Sequence, residues 1–305
     1  MNERKLPRFL KLDDWLGYLS LLASVALIIL VLILFYELAI QSLQALKTFG
    51  ISFFTGTEWN PVKGVFSALP FIYGTLFTST LAILVAFPIS IGIAIVLTEI
   101  LPRNIAEILS TIIELIAAIP SVVIGLWGIF YLAPMVRDSL APILSTLSFI
   151  PLFQGRTFGY SYLTATLVLI LMITPISTSV YNEAFKYVPN DLKEAMYALG
   201  ATRYEVVRKV IIPYTKSSLL AGIILAYGRA IGETLAVTMV IGNKPNITLS
   251  LLAPGYTMAS VIANEFLEAT NTLYVSSLVA LGFILLIISL LVNYIGGVIL
   301  RRLEK

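Results

Sequence analysis

A chain of 305 residues that is 58% hydrophobic and 12% charged, with mean hydropathy +0.94, lies far from soluble domains, which run about 45–50% apolar and about 25% charged. That composition excludes a soluble enzyme, and a net charge of +3 scattered along the chain gives no nucleic-acid partner. With no Cys and no His, the chain has no thiolate or imidazole metal site, no Cys nucleophile and no Ser-His-Asp triad, so no cofactor is expected.

What remains is an all-α membrane protein. A membrane helix needs about 20 apolar residues to cross about 30 Å of hydrocarbon, and runs of that length give six predicted spans. They cover residues 15–36, 64–98, 108–132, 157–182, 217–242 and 269–300. The first follows basic residues as a signal peptide does, but its 22 uncharged residues exceed a normal apolar core and no A-x-A site follows, so it reads as a retained anchor. The second is longer than one crossing and is expected to enter as an interfacial segment before Pro70. Between these two, residues 49–61 mix aromatics with Gly and Pro, which suits the membrane interface. Pro88, Pro120 and Pro175 fall inside spans, where each removes a helical hydrogen bond and can kink the helix. Glu114 is the one charge in the third span, either pairing with a partner or snorkelling to the interface.

Six crossings put both termini on one side, and basic residues choose the side. With cytoplasmic termini the inner segments hold 14 of the 20 Lys and Arg: Arg4, Lys5, Arg8, Lys11, Arg103, Lys186, Lys193, Arg203, Arg208, Lys209, Lys216, Arg301, Arg302 and Lys305. The outer segments hold Lys47, Lys63, Arg137, Arg156 and Lys244, while Arg229 lies within a span. Both termini are therefore expected in the cytoplasm. The chain divides into residues 1–63, with the cytoplasmic start, anchor and external loop, and a domain over 64–305.

Between the fourth and fifth spans, residues 183–216 form a polar loop with 6 of the 14 inner basic residues. Pro189, Asn190 and Asp191 predict a helix start, Leu192, Ala195, Met196 and Leu199 recur at helical spacing, and Gly200 predicts a stop. A second short helix is expected from a cap at Thr202, with Val206, Val207, Val210 and Ile211 on one stripe, ending before Pro213. Two amphipathic helices joined at a glycine make a protrusion able to dock in a groove of a soluble partner. A membrane-parallel helix without a mechanical role is the alternative, but it requires neither the glycine nor the terminal proline at this spacing.

Glu194, Ala195, Gly200, Val210, Ile212 and Pro213 resemble the EAA motif of ABC importer permeases, with Met196 in place of the second Ala. Residues 60–99 and 229–243, with the loop and 257–269, are further similar to PstC-type permeases of phosphate-specific importers. The resemblance implies a type I importer core in the second to sixth spans and an ATPase-coupling role for Glu194, Ala195, Gly200, Ala201 and Pro213. It also implies a sister PstA-type permease, two PstB-type ATP-binding subunits and an external PstS-type phosphate-binding protein. An ABC permease for sulfate or molybdate is the nearest alternative.

No Gly-Lys pair occurs anywhere, so a G-x-x-x-x-G-K-[ST] phosphate cradle is absent and the chain is not expected to hydrolyse ATP itself. Gly228 and Gly232 read as a GxxxG helix-packing pair. Arg229 and Glu233, at i and i+4, are expected on one helical face within the fifth span. A charge at the bilayer centre costs about 2.5–3.5 kcal/mol on insertion scales, so the two must face protein or water. Arg229 then either meets an anion in transit, with Glu233 holding its guanidinium, or the two lock helices together. An ion-coupled secondary transporter would use Glu233 for protons, but it leaves the 183–216 loop unexplained and no inverted repeat is evident.

Overall fold

The computed structural model describes residues 15–155 and 158–303, so the expectations on Arg4, Lys5, Arg8, Lys11, Arg156, Thr157 and Lys305 fall outside the described residues. Among the described residues the chain is helical and has no strand, apart from an isolated bridge between Asn60 and Val65. The elements in order are α1 (Trp15–Phe49), α2 (Ser52–Thr55), α3 (Leu69–Ile100), α4 (Arg103–Ala117), α5 (Ser121–Ser145) and α6 (Tyr162–Lys186). They continue with α7 (Asn190–Ala198), α8 (Arg203–Tyr214), α9 (Lys216–Gly232), α10 (Leu235–Val240), α11 (Met258–Glu265) and α12 (Thr272–Leu303).

Five helices, α1, α3, α5, α6 and α12, are long and apolar enough to span a membrane, and α8 with α9 makes a sixth candidate bent by 70°. α3 and α6 run through Pro88 and Pro175 without a break, and Pro70 sits in the first turn of α3, where its missing N–H costs nothing. Two predicted spans need correction. The run 108–132 is not one helix: α4 ends at Ala117, and Pro120, extended at ψ 137°, is the residue from which α5 starts afresh. The apolar crossing is α5, while α4 is a separate amphipathic helix that buries none of its side chains and leaves Glu114 exposed. The run 217–242 also breaks, since α9 stops at Gly232 and Glu233 is extended at φ −70° and ψ 126°.

Three apolar clusters hold the bundle. The central one joins α3, α5, α6, α9 and α10 around Ala86, Val168, Ile173, Ala226 and Val240. Close approach there uses small residues: a Cβ on Gly128 would lie 2.7 Å from the Val240 side chain. A second cluster gathers Phe53, Phe66, Phe71, Tyr256 and Leu281, so residues 49–61 pack into the protein through Phe49, Phe53 and Trp59. Here α1 meets α12, and the Ser276 hydroxyl donates to the Gln41 carbonyl and accepts the Ala45 amide, at 2.6 and 3.0 Å. Most of α1 is otherwise exposed, as an anchor surrounded by lipid would be. The third cluster, with Ala94, Tyr181, Phe185, Val206, Val207 and Ile211, seats α8 under the ends of α3 and α6.

The two ends of the bundle differ. At one end stands the α7–α8 handle. At the other, residues 241–256 fold back without helix and pair with the start of α6 through Leu163 N–H to Leu251 and Tyr162 OH to Asn246, at 2.8 and 2.7 Å.

Candidate functional site

The handle is built by two helix signals. α7 ends in paired hydrogen bonds from Gly200 N–H to Tyr197 and from Ala201 N–H to Met196, at 2.9 and 3.1 Å. This closure needs a left-handed residue, and Gly200 supplies it at φ +81°. α8 then opens on a reciprocal cap: Glu205 N–H donates to the Thr202 hydroxyl at 3.3 Å, and Thr202 N–H donates to the Glu205 carboxylate at 2.9 Å. The T-x-x-E spacing at Thr202 and Glu205 is a sequence signal for this double cap beyond the Thr202 cap alone. α8 does not stop before Pro213. It continues through a π turn at Val207–Ile211, takes Pro213 into its last turn and bends at Thr215 into α9.

The two stripes of the handle face different ways. Val206, Val207 and Ile211 are buried against the bundle, whereas α7 buries no side chain and leaves Leu199 84% exposed. Leu192, Ala195, Met196, Val210, Pro213 and Tyr214 therefore line an open apolar groove of about 500 Å³ between α7 and α8. The structure brings Ala195 and Pro213 together on this groove, keeps Glu194 and Gly200 exposed at its border, and half-buries Ala201 beneath the turn. An open apolar groove of this size has the shape and chemistry to receive an apolar partner element.

Glu205 gives the handle a pH dependence. The Thr202 backbone amide, then Lys209, lower its carboxyl from the ordinary glutamate range to about 2. A depressed folded value means that the cap is fully stabilising above about pH 4.5 and is lost as pH falls toward 2. Hydrogen exchange at the Thr202 and Glu205 amides is expected to stay protected at pH 5 and to accelerate, relative to the intrinsic rate, below pH 4. Equal protection at both values would remove the carboxylate from the cap.

Arg229 and Glu233 meet, but not on one helical face. Glu233 lies just past the end of α9, where one carboxylate oxygen is 3.9 Å from Arg229 Nη2 and the other accepts the Ala236 amide of α10 at 3.4 Å. Glu233 thus caps the broken helix while facing the guanidinium. The Glu233 side chain is 7% exposed and that of Arg229 43%. Both border a cleft of about 410 Å³ with Ser289 and Asn293 of α12. Among the described residues Arg229 has no other polar partner, so its planar donor edge is open to a ligand with paired oxygens. Gly228 faces Asn293 of α12 at ordinary contact distance, whereas Gly232 packs on nothing among the described residues. They line the same cleft, where a Cβ on Gly232 would meet nothing within 4 Å.

Residues 90–305 match the family model described as binding-protein-dependent transport system inner membrane component. A phosphate transport system permease protein PstC of Mesorhizobium japonicum is 48% identical over 90% of this chain and 87% of its own length. Another from Xylella fastidiosa is 45% identical over 96% and 92% of the two chains. In shape the chain is similar to the crystal structure of a bacterial ABC transporter involved in importing the acidic polysaccharide alginate, with TM-score 0.66 and 19% identity over 96% of this chain and 97% of that one.

Proposed function

The chain belongs to the family of binding-protein-dependent transport system inner membrane components, among the PstC-type phosphate permeases, and we propose that it carries inorganic phosphate across the cytoplasmic membrane as one permease of an ATP-driven importer. In this reading ATP is hydrolysed by two PstB-type subunits, a PstA-type sister completes the pathway, and a PstS-type protein delivers phosphate from outside. The observation that supports coupling is the groove that joins Ala195 and Pro213, held open by the Gly200 turn. Glu194, Ala195, Gly200, Ala201 and Pro213 form or border the surface that receives the ATPase. Arg229 meets the anion, and Glu233 holds the guanidinium and keeps the empty path close to neutral. Because a guanidinium binds sulfate as readily as phosphate, selection falls largely to the binding protein.

The test is uptake by proteoliposomes holding the complete complex. Phosphate uptake is expected to require ATP on the ATPase side and the binding protein on the other, and a tenfold excess of sulfate or molybdate is expected not to compete. Equal transport of sulfate would overturn the phosphate assignment.

Orientation follows from the basic residues, with the handle and both termini in the cytoplasm. Arg208 on the handle and Lys244 beside the start of α6 lie at opposite ends of the bundle, so the cysteine-free chain offers a direct check. Cysteine at the exposed position 208 is expected to react only with reagent on the cytoplasmic side, and cysteine at 63 or 244 only with reagent outside. Cytoplasmic labelling at 244 would defeat the six-span arrangement.

A further inference from the structure

At the handle end a polar cleft of about 560 Å³ lies between the ends of α3 and α6, the start of α4 and α7. Three cations line it, and each is already held by a carboxylate: Arg103 by Glu107, Lys186 by Glu183 and Lys193 by Glu99. No free positive charge is left for an anionic ligand. The three pairs differ in burial, however. The first two are exposed local pairs at i,i+4 and i,i+3, which hold little beyond their own helix. In the third, Lys193 Nζ and Glu99 Oε1 are 2.6 Å apart, with side chains 15% and 9% exposed, and the partners lie on α7 and at the end of α3.

This pair matters because of what α7 lacks. α7 buries no side chain, and among the described residues Lys193–Glu99 is the one side-chain hydrogen bond from it to a membrane helix. Its remaining attachment among the described residues is Met196 against the edge of the third cluster, followed by Ala201 in the turn just past its end. α3, in contrast, packs along α6 and α9, the helix carrying Arg229, and reaches the far end of the bundle, where Gly74 faces the Tyr256 carbonyl so closely that a Cβ would lie 2.1 Å from it. A shielded ion pair resists pulling in a way that an exposed one does not, because water competes poorly for its partners.

We infer that the Lys193–Glu99 pair is the tie by which movement of the ATPase-docking helix α7 is passed to α3 and so to the transport pathway. Both residues are positioning residues and touch neither phosphate nor ATP. The inference rests on the coupling role given to the groove above. It concerns how force leaves the docking surface, whereas docking itself involves the neighbouring apolar stripe of α7 that lines the groove.

The experiment measures phosphate uptake and ATP hydrolysis together in proteoliposomes, with the ATPase retained per complex as a third reading. The variants are Glu99→Gln, Lys193→Met and the exchanged pair Glu99→Lys/Lys193→Glu. Each single variant is expected to retain the ATPase and to hydrolyse ATP, but with uptake per ATP lowered about fivefold or more, the lower end of a typical coupling effect. The exchanged pair is expected to recover much of that ratio. Wild-type ratios in both single variants would overturn the tie. Parallel loss of ATPase, hydrolysis and uptake would also overturn it, by reducing the pair to a folding contact, as would an exchanged pair no better than the singles. If the wild-type complex itself shows no ATP-driven uptake, the coupling reading falls first and the tie falls with it.

Discussion

Replacing Gly200 with valine is expected to cut phosphate uptake per assembled complex by roughly 5–30-fold, the factor that 1–2 kcal/mol of backbone strain commands. The cause is conformational. A Cβ at Gly200 would meet nothing within 4 Å, so space is not the obstacle, but φ is +81° and valine is among the residues least able to adopt it. Forcing the residue out of the left-handed region breaks the Gly200–Tyr197 and Ala201–Met196 closures and tilts α7 against α8, which deforms the groove between them. The origin of the loss can be read from a graded series. Asparagine tolerates the left-handed region best among residues with a Cβ, so uptake is expected to fall in the order wild type, Gly200→Asn, Gly200→Ala, Gly200→Val. ATPase retention should fall in the same order while insertion into the membrane is unchanged. Full uptake and full ATPase retention in Gly200→Val would take the turn out of the coupling surface.

The sequence made Gly200 legible because a helix stop leaves a local mark, and the structure agrees to the residue. The same holds for Thr202 and for Pro70 at the head of α3, whereas Pro213 does not end the second handle helix, which takes it into its last turn. What could not be read were places where apolar text is compatible with two backbones. Residues 108–132 and 217–242 are apolar enough to be continuous helices, and whether a proline or a Gly-Glu step breaks them is decided by what packs alongside. Pro88 and Pro175 stay inside helices that the central cluster packs, whereas Pro120 follows α4, which touches α6 through Ser110 and Asn182 but buries none of its side chains, so little packing holds a kinked helix together. Long-range pairs were invisible for a different reason. Glu99 and Lys193 are 94 positions apart, and nothing in their neighbours announces that a carboxylate ending one apolar run will meet a lysine on the handle. The outward face of α7 was likewise hidden, since the stripe of Leu192, Ala195, Met196 and Leu199 looks the same whether it is to be buried by this chain or by a partner.

Neutralising both Arg229 and Glu233 is expected to leave assembly intact and to reduce phosphate uptake by about ten- to a hundredfold, the worth of a charge-assisted hydrogen bond of 1.5–3 kcal/mol. The broken helix makes this variant informative. Glu233 has two duties, facing Arg229 with one oxygen and capping the Ala236 amide with the other, and glutamine keeps the cap while removing the charge. Arg229→Gln alone strands a carboxylate that is 7% exposed, so it is expected to lower assembly as well as uptake. Glu233→Gln alone leaves a guanidinium that is 43% exposed and can be hydrated, so its assembly defect should be the smaller of the two. A helix lock and an anion contact now diverge. If the charges only lock α9 to its surroundings, Arg229→Gln/Glu233→Gln recovers assembly and uptake together, because neither charge is stranded. If Arg229 binds phosphate, assembly recovers and uptake does not. Arg229→Lys separates charge from shape: an ammonium keeps the attraction but lacks the planar fork, so uptake is expected between those of the wild type and the double variant. The measurement is phosphate uptake per assembled complex for the three neutral variants and the lysine variant. Wild-type uptake by Arg229→Gln/Glu233→Gln would make the pair a packing device and leave the 3.9 Å separation as the mark of a loose structural contact.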